Sequence, residues 1–309
     1  MKRLLFAALL ALGLAAPAHA EKLTLMLDWF PNVDHLPIYV AREQGLFAAA
    51  GLEVEILSPS ETTDGLKLAA AGQVDLAVSY QPQAILAAAR GLPLRVVGRL
   101  VEHPLTTLLF LPQSGIRTPA DLTGRRIGYT VPGLMDLLLD AFARVNGVTG
   151  YQAVNVGFAI LPSLAAGKVD AVMGPFKTYE TVALSQKGIT AAYFELEKYG
   201  IPDYDELVLV CGQKVLEGRS AAVGAFIDAV ARGIDQTRRD PQAALALYFK
   251  AVPEADRDTE TRALTLTLPY FARHQHLEVE RWRRFADFAR THGIIEGPVA
   301  VERLLAPFR

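Results

Sequence analysis

The chain has 309 residues, 51% of them hydrophobic, with a formal net charge of −2 and a single cysteine. That length suffices for two medium lobes with separate cores, and the apolar content excludes a disordered chain. The charge balance, with no basic block, argues against nucleic acid as a partner, and one cysteine excludes an intrachain disulfide or a multi-thiolate metal site.

Residues 1–20 read as a secretory signal peptide. Lys2 and Arg3 precede an apolar run from Leu4 to Ala16, and Ala18-His19-Ala20 supplies the small-x-small cleavage pattern. No cysteine follows the run, which argues against a lipid anchor, so the mature chain is expected to begin near Glu21 and to be periplasmic.

From Leu23 to Phe47 the sequence predicts a strand, a loop and a helix. Pro37 suits a first helical turn and Gly45 a helix stop. The loop puts Asp28, Trp29, Asn32 and His35 at the carboxyl edge of a sheet, where open α/β sheets bind ligands. Trp29 alone reads equally as a packed aromatic, and Asp28 as a turn residue; it is the cluster that points to a ligand loop.

Leu52 to Ile56 alternates as a strand, and Ser58 to Asp64 offers caps for a helix from Leu66 to Ala71. Gly72 to Val78 is a turn into a buried strand, ending at Ser79-Tyr80 before a helix that runs to Arg90. Val96–Leu100 and Thr106–Leu111 predict further strands. The turn-rich stretch from Pro112 to Leu122 opens a second α/β series. It comprises a strand at Arg126–Tyr129, a helix over Leu134–Val145, a strand at Ala153–Val156 and a helix from Ile160 to Ala166. Within it, Gly128 to Gly133 follows a strand and opens a helix, so its N–H groups could hold an anion or a carbonyl oxygen, though it lacks the dinucleotide fingerprint.

Ala166-Gly167-Lys168-Val169-Asp170-Ala171 then repeats Ala71-Gly72-Gln73-Val74-Asp75-Leu76. A glycine cap before a Val-Asp strand is common punctuation in α/β chains. Matched on both sides of the Pro112 region, however, it suggests two lobes of similar construction with a cleft between them. The expected division is residues 21–111 for the first part of lobe 1, 112–207 for lobe 2, and 208–309 for a return strand and helices packing mainly on lobe 1. Cys211, after the run Leu207–Val210, reads as a buried inert thiol. Trp282, Phe285 and Phe288 read as core-facing side chains of a helix over Glu278–Thr291.

The motifs G-x-S-x-G, H-E-x-x-H and the P-loop do not occur. Trp29, Tyr80, Tyr129 and Tyr179 fall at or beside strand ends and helix starts, as do Asp28 and Glu180. Flat rings with a carboxylate at the edge suit a planar nitrogen heterocycle, because a carboxylate accepts charge-assisted hydrogen bonds from an amino group. A sulfonate or nitrate would be better served by arginine, serine and free N–H groups.

LDWFPNVDHLPIYVAREQGLF, followed by GLEVEIL, AAGQVDLAVS, GRRIGY and AAGKVDAVMG, resembles the thiamine-pyrimidine-precursor family of solute-binding proteins. These serve ABC importers and share their pattern with the fungal thiamine-pyrimidine synthases. The resemblance implies an α/β fold of the two-lobe periplasmic-binding-protein kind (type II), each lobe a mixed sheet flanked by helices. It implies a monomer that binds an aminopyrimidine precursor for thiamine salvage, without a cofactor, and passes it to an ABC permease and its ATPase. The implied ligand contacts are Asp28, Trp29, Asn32, His35, Ser79, Tyr80, Thr130, Gly133, Tyr179 and Glu180. Trp29 would stack on the ring and Glu180 would read its amino edge.

The broader pattern is shared with binders of sulfonates and nitrate, so such a ligand, or a flavin, is the first alternative. A secreted enzyme of the synthase type is the second. The synthases' Lys–His pair falls, without gaps, near Ser79 and Gln83, and without that lysine no pyridoxal phosphate Schiff base can form.

Overall fold

A computed structural model describes residues 20–306 and 308. Apart from Ala20, the expected signal peptide lies outside them. Ten strands occur among the described residues: β1 (Glu21–Met26), β2 (Leu52–Leu57), β3 (Leu76–Ser79), β4 (Leu94–Val101), β5 (Thr106–Phe110), β6 (Arg126–Tyr129), β7 (Gln152–Asn155), β8 (Ala171–Phe176), β9 (Ala192–Glu195) and β10 (Leu207–Gly212). They build two five-stranded sheets, ordered β2-β1-β3-β10-β4 and β7-β6-β8-β5-β9. Each sheet has three parallel strands, then an antiparallel strand reached across a chain crossing, then an edge strand. The result is a two-lobe α/β fold with mixed sheets.

The repeated Val-Asp turn has the same job in both lobes. The Asp75 carboxylate accepts the Thr24 N–H at 2.8 Å, pinning β3 beside β1. The Asp170 carboxylate accepts the Arg126 N–H at 2.9 Å, pinning β8 beside β6.

The expected lobe boundary needs one correction. A boundary at residue 111 places Thr106–Phe110 in the first lobe, but β5 pairs with β8 and β9 in the second sheet. The chain therefore crosses at residues 102–105, ahead of the turn-rich stretch. An apolar strand has the same pattern whichever sheet it joins, and the partners of β5 lie far downstream. The second crossing, residues 196–206, leads into β10, which lies between β3 and β4 in the first sheet.

Helix Leu36–Glu43 packs against helix Gln213–Arg239. At their closest approach a side chain on Gly233 would place its Cβ 2.2 Å from the Pro37 carbonyl oxygen. The longer helix has a non-helical break at Arg219. Trp282 and Phe285 are fully buried, as their spacing implied, while Phe288 is partly covered. Cys211 is buried as well, and burial pushes its thiol up to about 12. No helix among the described residues is long and apolar enough to cross a membrane.

The crossings are held by buried charge. Asp205 Oδ1 accepts from Arg99 Nη1 at 3.0 Å and Arg281 Nη1 at 3.2 Å, and its Oδ2 accepts from Trp282 Nε1 at 2.9 Å. Beside it, Glu206 accepts the N–H groups of Leu105 and Thr106 at 2.5 and 2.7 Å. One crossing thus clamps the other.

Candidate functional site

The loops that follow β1, β3, β6 and β8 converge between the lobes. They border a cavity with about 390 Å³ of space unfilled by protein, counting its mouth. This is the carboxyl edge of both parallel strand sets, where an open α/β sheet leaves room for a ligand.

The loop after β1 is built by its own side chains. Asn32 caps a single turn, its Oδ1 accepting the Asp34 N–H at 2.8 Å while its Nδ2 donates to the Phe30 carbonyl at 3.2 Å. Asp28 is buried, with Oδ1 2.8 Å from His35 Nε2 and Oδ2 accepting the Tyr80 hydroxyl at 2.6 Å. Both carboxylate oxygens are thus occupied by protein, so Asp28 fixes the positions of His35 and Tyr80. Trp29 meets Phe158 of the second lobe edge-on at 4.5 Å, and Phe158 also lies 4.6 Å from the exposed ring of Phe30. Three rings therefore meet where the lobes approach, and of the three Trp29 borders the cavity.

The far wall comes from the loop after β8. Glu180 accepts the Phe176 N–H at 2.7 Å. Burial, offset in part by the N–H groups of Phe176 and of Glu180 itself, pushes its carboxyl up to about 7. The Tyr179 hydroxyl donates to Glu260 Oε1 at 2.9 Å, and Glu260 Oε2 accepts the Val33 N–H at 2.9 Å. Glu260 thus ties the second lobe to the β1 loop. Thr62 donates to the Thr130 carbonyl at 3.0 Å, a second tie between the lobes.

Asp28, Trp29, Asn32, His35, Tyr80, Thr130, Tyr179 and Glu180 all border the cavity. Ser79 and Gly133 do not. Ser79 is fully buried and donates to Gln83 Oε1 at 2.7 Å. Gly133 borders a separate groove with Thr63, Lys67 and Arg90. Tyr129, grouped with the other rings by its strand-end position, is likewise absent from the cavity wall.

Sequence reasoning passed over Asp34, Ile160, Gly174, Phe176 and Leu207, which also border the cavity, and Glu260, which braces it. Asp34 sits inside the quoted loop motif. Glu260 lies in a helix, Arg257–Thr267, whose Thr-rich sequence gave no clear apolar stripe.

The wall is acidic and aromatic, and among the described residues bordering it there is no lysine or arginine. Asp34 is held well above the usual carboxylate range by burial and by the nearby carboxyls of Glu180, Asp28 and Glu260. The neighbouring Lys177 is occupied elsewhere, with its Nζ 2.9 Å from Glu195 and 3.0 Å from Glu197. Among the described residues, no group of three or more His, Cys, Asp or Glu side chains could hold a metal ion. Chemically, such a wall accepts hydrogen bonds from amino groups, stacks flat rings and repels anions.

Residues 32–244 match the family model described as NMT1/THI5 like. A Haemophilus influenzae protein whose name places it in thiamine biosynthesis is 36% identical, with 96% of each chain covered. A formylaminopyrimidine-binding protein of Halalkalibacterium halodurans is 32% identical over 91% of this chain and 88% of its own. A Legionella pneumophila 4-amino-5-hydroxymethyl-2-methylpyrimidine phosphate synthase is 26% identical over 89% and 88%. Among solved structures, the alkanesulfonate-binding protein of Xanthomonas axonopodis pv. citri superposes with a TM-score of 0.75 at 18% identity, covering 93% of this chain and 98% of that one.

Proposed function

Because the chain belongs to the NMT1/THI5-like family, we propose that it is a periplasmic solute-binding protein whose cleft captures a thiamine-related aminopyrimidine. On this reading the two lobes close around the ring, shifting a pre-existing open–closed equilibrium, and the loaded protein is recognised by an ABC permease and its ATPase. The observation that carries the reading is the cavity wall, where carboxyl groups and aromatic rings meet and no lysine or arginine stands among the described residues that border it. Trp29 offers its indole to the ring from one lobe. Glu180 offers an acceptor to the exocyclic amine from the other. The formylaminopyrimidine-binding relative supports this ligand class, and the sequence of residues 1–20 supports export.

Two other readings fit less well. A sulfonate or nitrate would enter a wall that repels it. The synthase activity named for the more distant relative requires, by the resemblance, a lysine to anchor pyridoxal phosphate. Among the described residues no lysine borders this cavity, and Ser79 and Gln83 hydrogen-bond to each other where the Lys–His pair would fall. The pocket does not fit that group.

Thermal shift and calorimetry of the mature protein with an aminopyrimidine, thiamine, riboflavin and taurine test the reading, with Trp29→Ala and Glu180→Gln run alongside. At a hundred times its Kd the aminopyrimidine adds about 2.7 kcal/mol of stability to the wild type, and both variants lose that gain. Stabilisation by taurine or riboflavin alone would overturn the ligand assignment.

A further inference from the structure

We infer that Asp34 determines which rings this cleft accepts, its Oδ2 being reserved for a hydrogen bond to a ring nitrogen of the bound heterocycle. The inference rests on the aminopyrimidine reading above and adds a second polar contact to it.

Asp34 is 1% exposed and borders the cavity. Its N–H is taken by Asn32, and its Oδ1 accepts the Thr267 hydroxyl at 3.2 Å. Its Oδ2 is buried and has no partner in the protein. The contrast with Asp28 in the same loop is instructive. A carboxyl kept only to build the loop has both oxygens satisfied, as Asp28 does. An unsatisfied buried oxygen is disfavoured unless something else completes it.

The charges around Asp34 decide what that partner is. Asp28 and His35 face it from its own loop, Glu180 and Tyr179 from the second lobe, Glu260 from the helix Arg257–Thr267, and Tyr80 from the end of β3. Burial and the three other carboxyls favour the protonated form of Asp34. A neutral carboxyl whose Oδ1 accepts from Thr267 carries its proton on Oδ2 and donates it. The wall then presents an O–H donor at Asp34 and an acceptor at Glu180. An aminopyrimidine edge is the complement, with a ring nitrogen that accepts beside an amine that donates. A site built around such a pair discriminates strongly against a ring lacking either partner.

The test compares 4-amino-5-hydroxymethyl-2-methylpyrimidine with 2-aminobenzyl alcohol, which keeps the amine and hydroxymethyl groups but has no ring nitrogen. Calorimetry is run on wild type, Asp34→Leu and Asp34→Asn. In Asp34→Leu the pyrimidine should weaken about 10- to 100-fold while the carbocycle changes little, and the amide donor of Asp34→Asn should restore most of the affinity. Equal losses for both ligands, or unchanged pyrimidine affinity in Asp34→Leu, would overturn the inference and leave the aminopyrimidine reading intact. Failure of the wild type to bind the pyrimidine would remove both. A measurement on the unaltered protein guards against a misfolded variant. The ¹⁵N spectrum of ring-labelled pyrimidine should show one ring nitrogen moving upfield on binding, and no shift at either nitrogen overturns the assignment.

Discussion

Replacing Glu260 by glutamine should make the protein more stable at pH 8 and leave it nearly unchanged at pH 5. Glu260 is 2% exposed, and burial pushes its carboxyl from 4.5 to about 7, against the lowering effect of its Tyr179 and Val33 donors. The folded chain therefore keeps a proton that the unfolded chain releases between those two values. Stability falls as pH rises through that window, the reverse of what a salt-bridged carboxylate gives. A shift of that size corresponds to about 3 kcal/mol at pH 8.

Glutamine removes the titration and can keep both contacts. Its oxygen accepts the Val33 N–H, and its amide donates to the Tyr179 hydroxyl, which can turn to accept. Urea unfolding of both proteins at pH 5, 6.5 and 8, extrapolated to water, reads the difference directly. The comparison at each pH cancels the titration of every group not coupled to Glu260. A variant that is less stable than wild type by the same amount at pH 5 and pH 8 would refute the reasoning, because Glu260 would then be ionised throughout.

Two further substitutions probe the crossing and the cavity floor. Asp205→Ala leaves the guanidinium groups of Arg99 and Arg281 without their shared acceptor, and a loss of about 3–5 kcal/mol in urea unfolding is expected; a change under about 1 kcal/mol would mean the clamp is solvated. Gly174→Ala places a Cβ 2.1 Å from Thr130 Oγ1 at a backbone φ of +125°, so it should lower the melting temperature and weaken aminopyrimidine binding together. Unchanged melting would show that the second lobe accommodates the methyl group by moving Thr130.

Much of the fold was legible because α/β punctuation is local. A glycine cap, a Val-Asp turn and an apolar run are all visible within ten residues, and Arg126–Tyr129 appears as a strand where the pattern put it. What escaped was non-local. The membership of β5 in the second sheet depends on β8 and β9, which its own five residues do not encode. β9 is short, and only Phe194 of its four residues is buried, so it carries little pattern. The helix Arg257–Thr267 mixes threonines and charges, and the brace it contributes through Glu260 could not be seen in advance.

The site divides the same way. The cluster from Asp28 to His35 announced itself by composition, and most of it borders the cavity. Ser79 and Gly133, placed by strand-end position alone, do not. Asp34 was hidden by its neighbours, since one acid among an asparagine, a histidine and a second acid carries no sign of which carboxyl has an oxygen left over.

The placement of β10 between β3 and β4 also sets an order of assembly. The second sheet draws its strands from one continuous run, Thr106 to Glu195, and can form from that segment alone. The first sheet cannot close until Leu207–Gly212 has been made and brought back to strands more than a hundred residues earlier in the chain. Pairings of that sequence separation are slow to form. On the export reading proposed above, late closure of the lobe that begins the chain keeps its N-terminal strands extended for longest, which suits a polypeptide threaded through a membrane before it folds.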